Sequence, residues 1–401
     1  SRPMKNSTGS ERRGMDGNGK FSRRTLLKGA GLGAATLAGG GASVLTAASP
    51  ALAAPTGQLF TAARDKGILY GSSTATWQFE PDPDYAALFA REAGMLFTED
   101  DLLWYRLKPT PTAPLDFSFG DSAFAFAQAN AQSVFAAHMV WDEGLGEGWP
   151  PDALYFLSEQ EARDHLYPTI QAEASRYAGQ TKAWVCCNEI TDGRRKDANG
   201  FWTVNPWWQT IGPTFAEEAF FLANQQDPNA ILIMNEFGTE QGSGATAKRT
   251  SVLQAIDYLQ SVGAPIHALG IEAHLTYQGF ANNFNATAFR TFLSQVAARG
   301  LNIFITELDV LDDGLKANIA TRDAGVAQVY STFLTAALQE PAVKIVITFG
   351  LSDRYTWLQE DFPRRDGAAR RPLPFDENLQ PKPAYTAILN AYNAAPGRTP
   401  I

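Results

Sequence analysis

The chain has 401 residues, 45% hydrophobic, 19% charged and 11% aromatic, which suits one large domain or two ordinary ones and excludes disorder, collagen and coiled coil. Formal net charge is −9; residues 1–53 carry 8 of the 33 basic and 2 of the 42 acidic side chains, so without them it is −15, too acidic for a phosphate backbone or an anionic membrane. The cysteines, Cys186 and Cys187, are adjacent and cannot staple distant segments, and four histidines without a Cys/His cluster leave no dedicated transition-metal site.

The chain opens on an address. Ser22-Arg23-Arg24-Thr25-Leu26-Leu27-Lys28 precedes an apolar run rich in Gly and Ala, and Ala51-Leu52-Ala53 supplies a small-x-small cleavage pattern. Paired arginines before a weakly apolar stretch read as a twin-arginine export signal over 1–53, not as a membrane anchor. The mature chain then starts at Ala54 and is exported, to the periplasm or beyond.

Past Ala54, short apolar runs alternate with helical patterns. The strands expected are Gly67–Gly71, Met95–Phe97, Ser133–Trp141, Ala183–Cys187, Ala230–Met234, Ala268–Ala273, Asn302–Thr306 and Lys344–Phe349. Helical spacing is clearest over Arg322–Leu338, and a second helix runs from Pro213 to Gln226, stopped by Asp227-Pro228. Eight strands, each followed by a crossover, predict an α/β fold, a (β/α)8 (TIM) barrel. Neither a Gly-rich nucleotide fingerprint nor a Gly-x-Ser-x-Gly elbow is present. No linker divides the chain, so residues 54–395 form one domain and 396–401 a tail.

In such barrels the strand C-termini build the active site. Strand four ends in Asn188-Glu189, and strand seven in Glu307-Leu308-Asp309. On opposite sides of the mouth, the two glutamates can face each other across a cleft. Glycoside hydrolysis needs that arrangement, one carboxyl protonating the leaving oxygen while the other attacks or stabilises the anomeric carbon.

At these residues the chain resembles glycoside hydrolase family 10, mainly endo-β-1,4-xylanases. Trp184-Val-Cys-Cys-Asn-Glu189 is similar to its acid/base motif, and Ile305-Thr-Glu-Leu-Asp-Val310 to its nucleophile motif. Phe97–Trp104, His138–Trp141, Gly270–Leu275, Phe349–Trp357, Pro374-Phe-Asp and Lys382–Tyr385 resemble further family segments, in order along nearly the whole mature chain. The resemblance implies Glu189 as acid/base and Glu307 as nucleophile. It implies Asn188 on the sugar 2-hydroxyl, His274 positioning Glu307, and Trp141 and Trp357 walling the attacked sugar. It implies a retaining, xylanase-like glycosidase of xylan-type polysaccharide, without metal or cofactor.

Departures cluster in the sugar-binding positions. The family's strand-two motif, Glu-Asn-x-x-Lys-Trp, holds sugars on the non-reducing side; here Glu99 is kept, but Asp100 and Leu103 replace Asn and Lys. Two histidines flank the family's Thr-Leu-Val-Trp; here Ala137 and Asp142 stand there, and His138 substitutes only if the strand is one residue shorter, since a one-residue shift reverses facing. Glu272 replaces Gln, and Phe349 replaces Trp. Glu99, Asp100, Glu272 and Phe349 are nevertheless expected at the substrate. The alternatives left open are a hydrolase of another β-linked glycan and a non-catalytic glycan-binding barrel.

The remaining features have plainer readings. Cys186 and Cys187 are expected in barrel packing, and Asp309–Asp313 in a solvated loop. Trp202, Trp207 and Trp208 either stack on sugars, with Arg194 and Arg195 reaching a carboxylated one, or pack a helix on the barrel. Tyr277 and Gln278 would border the aglycone side. The protein is expected to act as a monomer on a poly- or oligosaccharide, with no nucleic acid and no membrane partner.

Overall fold

Each of the eight apolar runs is a strand in the computed structural model, which describes residues 53–401. The export signal, apart from Ala53, lies outside the described residues. The strands are β1 (Leu69–Thr74), β2 (Met95–Thr98), β3 (Ser133–Ala136), β4 (Ala183–Asn188), β5 (Ile231–Glu236), β6 (Ala268–Ile271), β7 (His274–Thr276), β8 (Asn302–Leu311) and β9 (Val343–Thr348). All pairings are parallel; β1 joins both β2 and β9, and β6 pairs directly with β8, which closes an eight-stranded barrel. The three-residue β7 is an extra rung on the C-terminal half of β8, with His274 opposite Asp309.

Period-two alternation divides the core in two. Phe97, Phe135, Val185, Ile233, Phe304, Ile345 and Ile347 fill the barrel, while Trp184, Leu232, Ile303, Ile305 and Val346 pack outward against the helices. Inside, Phe135 lies edge-on to Phe97 at 5.0 Å and to Phe304 at 5.8 Å between ring centroids. Truncating such a ring to alanine costs about 3–5 kcal/mol, so the lumen is a structural plug below the mouth.

Two register shifts re-aim the chain at the mouth. On β4, Val185 pairs with Ile233 but Cys187 with Met234, so Cys186 is an extra residue. Both cysteines therefore pack outward with Trp184, as buried free thiols, and Asn188 turns inward. On β8, Ile305 pairs with Val346 and Leu308 with Thr348, so that Thr306 and Glu307 both reach the lumen.

Strand ends differ from expectation for local reasons. β3 stops at Ala136 because the Ala137 N–H turns to Thr98 Oγ1, at 2.9 Å. β8 runs on to Leu311, so the acidic run is no solvated loop: Asp309 and Asp312 are buried, and Asp312 takes Arg322 at 3.0 Å and Arg370 at 2.7 Å. The expected helices are Phe215–Gln226 and Ile319–Ala337; the second begins early because the Asn318 side chain caps the Thr321 N–H. The tail is docked, with Arg398 donating to Glu340 O and Val343 O, both at 2.8 Å. No helix among the described residues is long and apolar enough to cross a membrane.

Candidate active site

Glu189 is the first residue beyond β4, and its backbone is left-handed, with φ 57°. Non-glycine residues adopt that conformation only where their surroundings impose it. Here its N–H donates to Asn235 O at 2.9 Å, and the next two N–H groups, of Ile190 and Thr191, donate to Glu236 Oε1 at 2.9 Å each. Lys248 Nζ closes the clamp on Glu236 Oε2 at 2.7 Å and on Thr191 O at 2.8 Å. The Glu189 carboxyl, 6% exposed, takes the Trp141 indole N–H on Oε2 at 3.2 Å.

Glu307 sits in a different environment. His274 Nε2 donates to its Oε2 at 2.8 Å, and Asn235 Nδ2 reaches its Oε1 at 3.3 Å. His274 Nδ1 donates to Asp309 Oδ1 at 2.7 Å, and Trp357 Nε1 to Asp309 Oδ2 at 2.8 Å. Burial pulls the His274 imidazole down, but Asp309 and Glu307 together outweigh it and hold its pKa up at about 9. It is an imidazolium at neutral pH, with both N–H groups spent on carboxylates. Ala273, just before it, is also left-handed (φ 59°), fixed by its N–H on Glu240 Oε1 at 2.8 Å.

Asn235 joins the two halves. Its Nδ2 donates to Asn188 Oδ1 at 2.9 Å as well as to Glu307, and its Oδ1 accepts from Thr306 Oγ1 at 2.6 Å. With its oxygen taken, Asn188 keeps its NH2 as a donor for a ligand.

Of the residues singled out by sequence, the structure gathers Glu189, Glu307, Asn188, His274, Trp141 and Trp357 at the mouth. His138 joins them, because β3 does end early: its Nε2 is 3.9 Å from Glu307 Oε1, too long for a hydrogen bond, and its ring is tilted on Trp141 at 5.2 Å. Glu272 Oε2 is 3.8 Å from His274 Nε2. Phe349 is buried edge-on to His274 at 5.5 Å and packs the network from behind. Glu99 and Asp100 stand at the rim, where Glu99 accepts from Ser73 and Gln78, and Asp100 from Trp77.

Other candidates resolve into packing. Trp207 is fully buried edge-on to Trp104 and offers no face to sugar, whereas Trp208, partly buried on the core, donates to Asp197 at 2.9 Å, and Trp202 is half-buried. Tyr277 packs on the core as the first residue of a short helix. Burial pushes the Cys186 thiol up, away from nucleophilic use. Among the described residues, Glu272, His274 and Glu307 form the group whose ligand atoms converge within 4.8 Å, and both ring nitrogens of His274 there already meet carboxylates.

Asn235, Glu236 and Asp309 were not expected in the network. A signal existed for the first two: β5 ends in Asn235-Glu236, the same dipeptide that Asn188-Glu189 forms at the end of β4 and the residue after it.

Residues 58–391 match the sequence profile of glycosyl hydrolase family 10. The chain belongs to that family. Members compared with it include endo-1,4-beta-xylanase B of Thermotoga neapolitana, 29% identical over 80% of this chain and 87% of the relative, and endo-1,4-beta-xylanase C of Phanerodontia chrysosporium, 26% identical over 84% and 79%. Among solved structures, native xylanase 10B of Thermotoga maritima superposes with a TM-score of 0.73 at 28% identity, over 83% of this chain and 97% of that one. This family-10 chain is a glycosidase.

Proposed function

We propose that the protein is an exported, retaining endo-1,4-β-xylanase in which Glu307 is the nucleophile and Glu189 the acid/base. The observation that carries the assignment is the contrast between the two carboxyls. Glu307 is held by an imidazolium and an amide, donors that favour an ionised carboxylate, whereas Glu189, across the cleft, takes the Trp141 indole N–H. Xylan as substrate is supported by the relatives' activity, and export by the paired Arg23-Arg24 with the cleavage pattern at Ala51–Ala53.

In the first step a Glu307 oxygen bonds to the anomeric carbon as the glycosidic bond breaks, and the Glu189 proton passes to the departing oxygen. The Asn188 NH2 donates to the sugar 2-hydroxyl. In the second step Glu189, now a carboxylate, takes a proton from water. The resulting oxygen bonds to the anomeric carbon and releases Glu307. Two inversions give net retention. Proton NMR during xylan or xylo-oligosaccharide hydrolysis should show the β-anomer of the new reducing end first, with the α-anomer appearing later by mutarotation. Initial α-anomer would reassign Glu307 from nucleophile to base.

A further inference from the structure

The three consecutive carboxylates after β2 all grip one short helix. Thr76–Phe79 follows β1, and its first three residues are each taken by one acid. Asp101 accepts from the Thr76 N–H at 2.9 Å and from Thr76 Oγ1 at 2.8 Å. Asp100 Oδ2 accepts from the Trp77 indole N–H at 2.9 Å, and Glu99 Oε2 from Gln78 Nε2 at 3.1 Å. All three acids are buried.

Between them they fix a side chain with no packing reason to be fixed. Trp77 keeps 38% of its surface exposed. Its ring stands edge-on to Tyr355, at 5.8 Å and 84°, and Tyr355 is itself held by Asp82 at 2.6 Å, beside the Arg354–Asp82 ion pair at 2.7 Å. An indole that is tied at its polar edge and buttressed at its rim loses no rotamer freedom when a ligand covers its open face.

Its place in the barrel tells which part of a ligand that would be. Glu189, as acid, must lie on the leaving-group side of the bond. The chain running on from it, Thr191–Arg194, forms one wall of a cavity of about 300 Å³ completed by the β5 and β7 loops and His274. Trp77 lies beyond β1, and β1 is the strand across the ring from β5. That places it on the side of the mouth opposite the leaving-group wall, which is the glycone side.

We infer that Trp77 is a stacking platform for a pyranose unit on the non-reducing side, and that Asp100 is a positioning residue for this indole and not itself a sugar contact. The inference rests on the glycosidase assignment above and deepens it, because such a platform favours chains over single sugars and so an internal mode of attack.

The test compares aryl β-glycosides of xylose, xylobiose and xylotriose, with the glucose series in parallel, on the wild type, Trp77→Ala, Trp77→Phe and Asp100→Ala. In the wild type, kcat/KM should rise with each glycone unit. Trp77→Ala should remove about tenfold of that rise, through KM, and leave the monosaccharide glycoside unchanged. Trp77→Phe should restore part of it. Asp100→Ala should follow Trp77→Ala on the longer glycosides, with little further loss in the double variant, whereas an Asp100 that touched sugar would add its own loss. Equal losses on all three lengths, or none, would overturn the platform. A wild type that cleaves no aryl glycoside would overturn the function on which it rests.

Discussion

His274 carries the electrostatics of the site, and the sign of its contribution can be checked. Its folded pKa, about 9, stands above the ordinary 6.5, so the stability it adds is fully present below about pH 6.5 and is lost as pH rises through about 9. Above that point one N–H is gone, and either Glu307 or Asp309 loses its hydrogen bond from the ring. Denaturant unfolding of the wild type should show stability falling between pH 7 and 10, by an amount on the order of 2–3 kcal/mol that is missing from His274→Gln. Parallel pH profiles in the two proteins would mean that His274 is neutral throughout. The neighbouring Asn235 shows why a single residue matters here: one amide binds Asn188, Glu307 and Thr306, so its removal takes a hydrogen bond from three buried groups at once.

At the scale of elements, the mouth depends on register shifts and on the turn after β4. Sequence reading placed the strands and the strand-end glutamates, because parallel barrel strands are short apolar runs and their ends switch abruptly to polar residues. It did not place the shifts. An extra residue at Cys186 leaves no mark in composition, and only the pairing of Cys187 with Met234 reveals that both thiols point away from the cleft. The burial of Asp309 was equally hidden, since its partners His274 and Trp357 lie 35 and 48 residues away along the chain. The Lys248–Glu236 pair, in which both side chains are less than a tenth exposed, holds the Ile190 and Thr191 amides beside the acid. Lys248→Met leaves Glu236 buried without its cation, and should cost about 3–5 kcal/mol and lower kcat. Lys248→Met with Glu236→Gln should regain part of the stability, since an amide oxygen still accepts from both N–H groups. Thermal melts and xylan kinetics on the wild type and the two variants check this, and a Lys248→Met protein as stable and active as the wild type would remove the clamp from the account.

For the whole molecule, the barrel separates two tasks. The phenylalanine-filled lumen and the outer helix layer fix the strands, and the polar network occupies only their C-terminal ends. That separation lets the rim be rewritten, as at Asp100, Leu103, Glu272 and Phe349, while the pair of glutamates stays in place. The central claim is that these two carboxyls have unequal roles, and azide separates the roles most directly. Glu189→Ala lacks both the proton donor and the base, so with an activated aryl β-xyloside or xylobioside the first step should survive and the glycosyl-enzyme on Glu307 should accumulate. Azide, which needs no base, should then restore turnover and give a β-glycosyl azide, while Glu307→Ala, which has no nucleophile, should yield no β-product under the same conditions. The product formed by Glu189→Ala in azide is therefore the measurement to make: a β-glycosyl azide is the predicted result, and an α-glycosyl azide, or no rescue at all, would contradict the account.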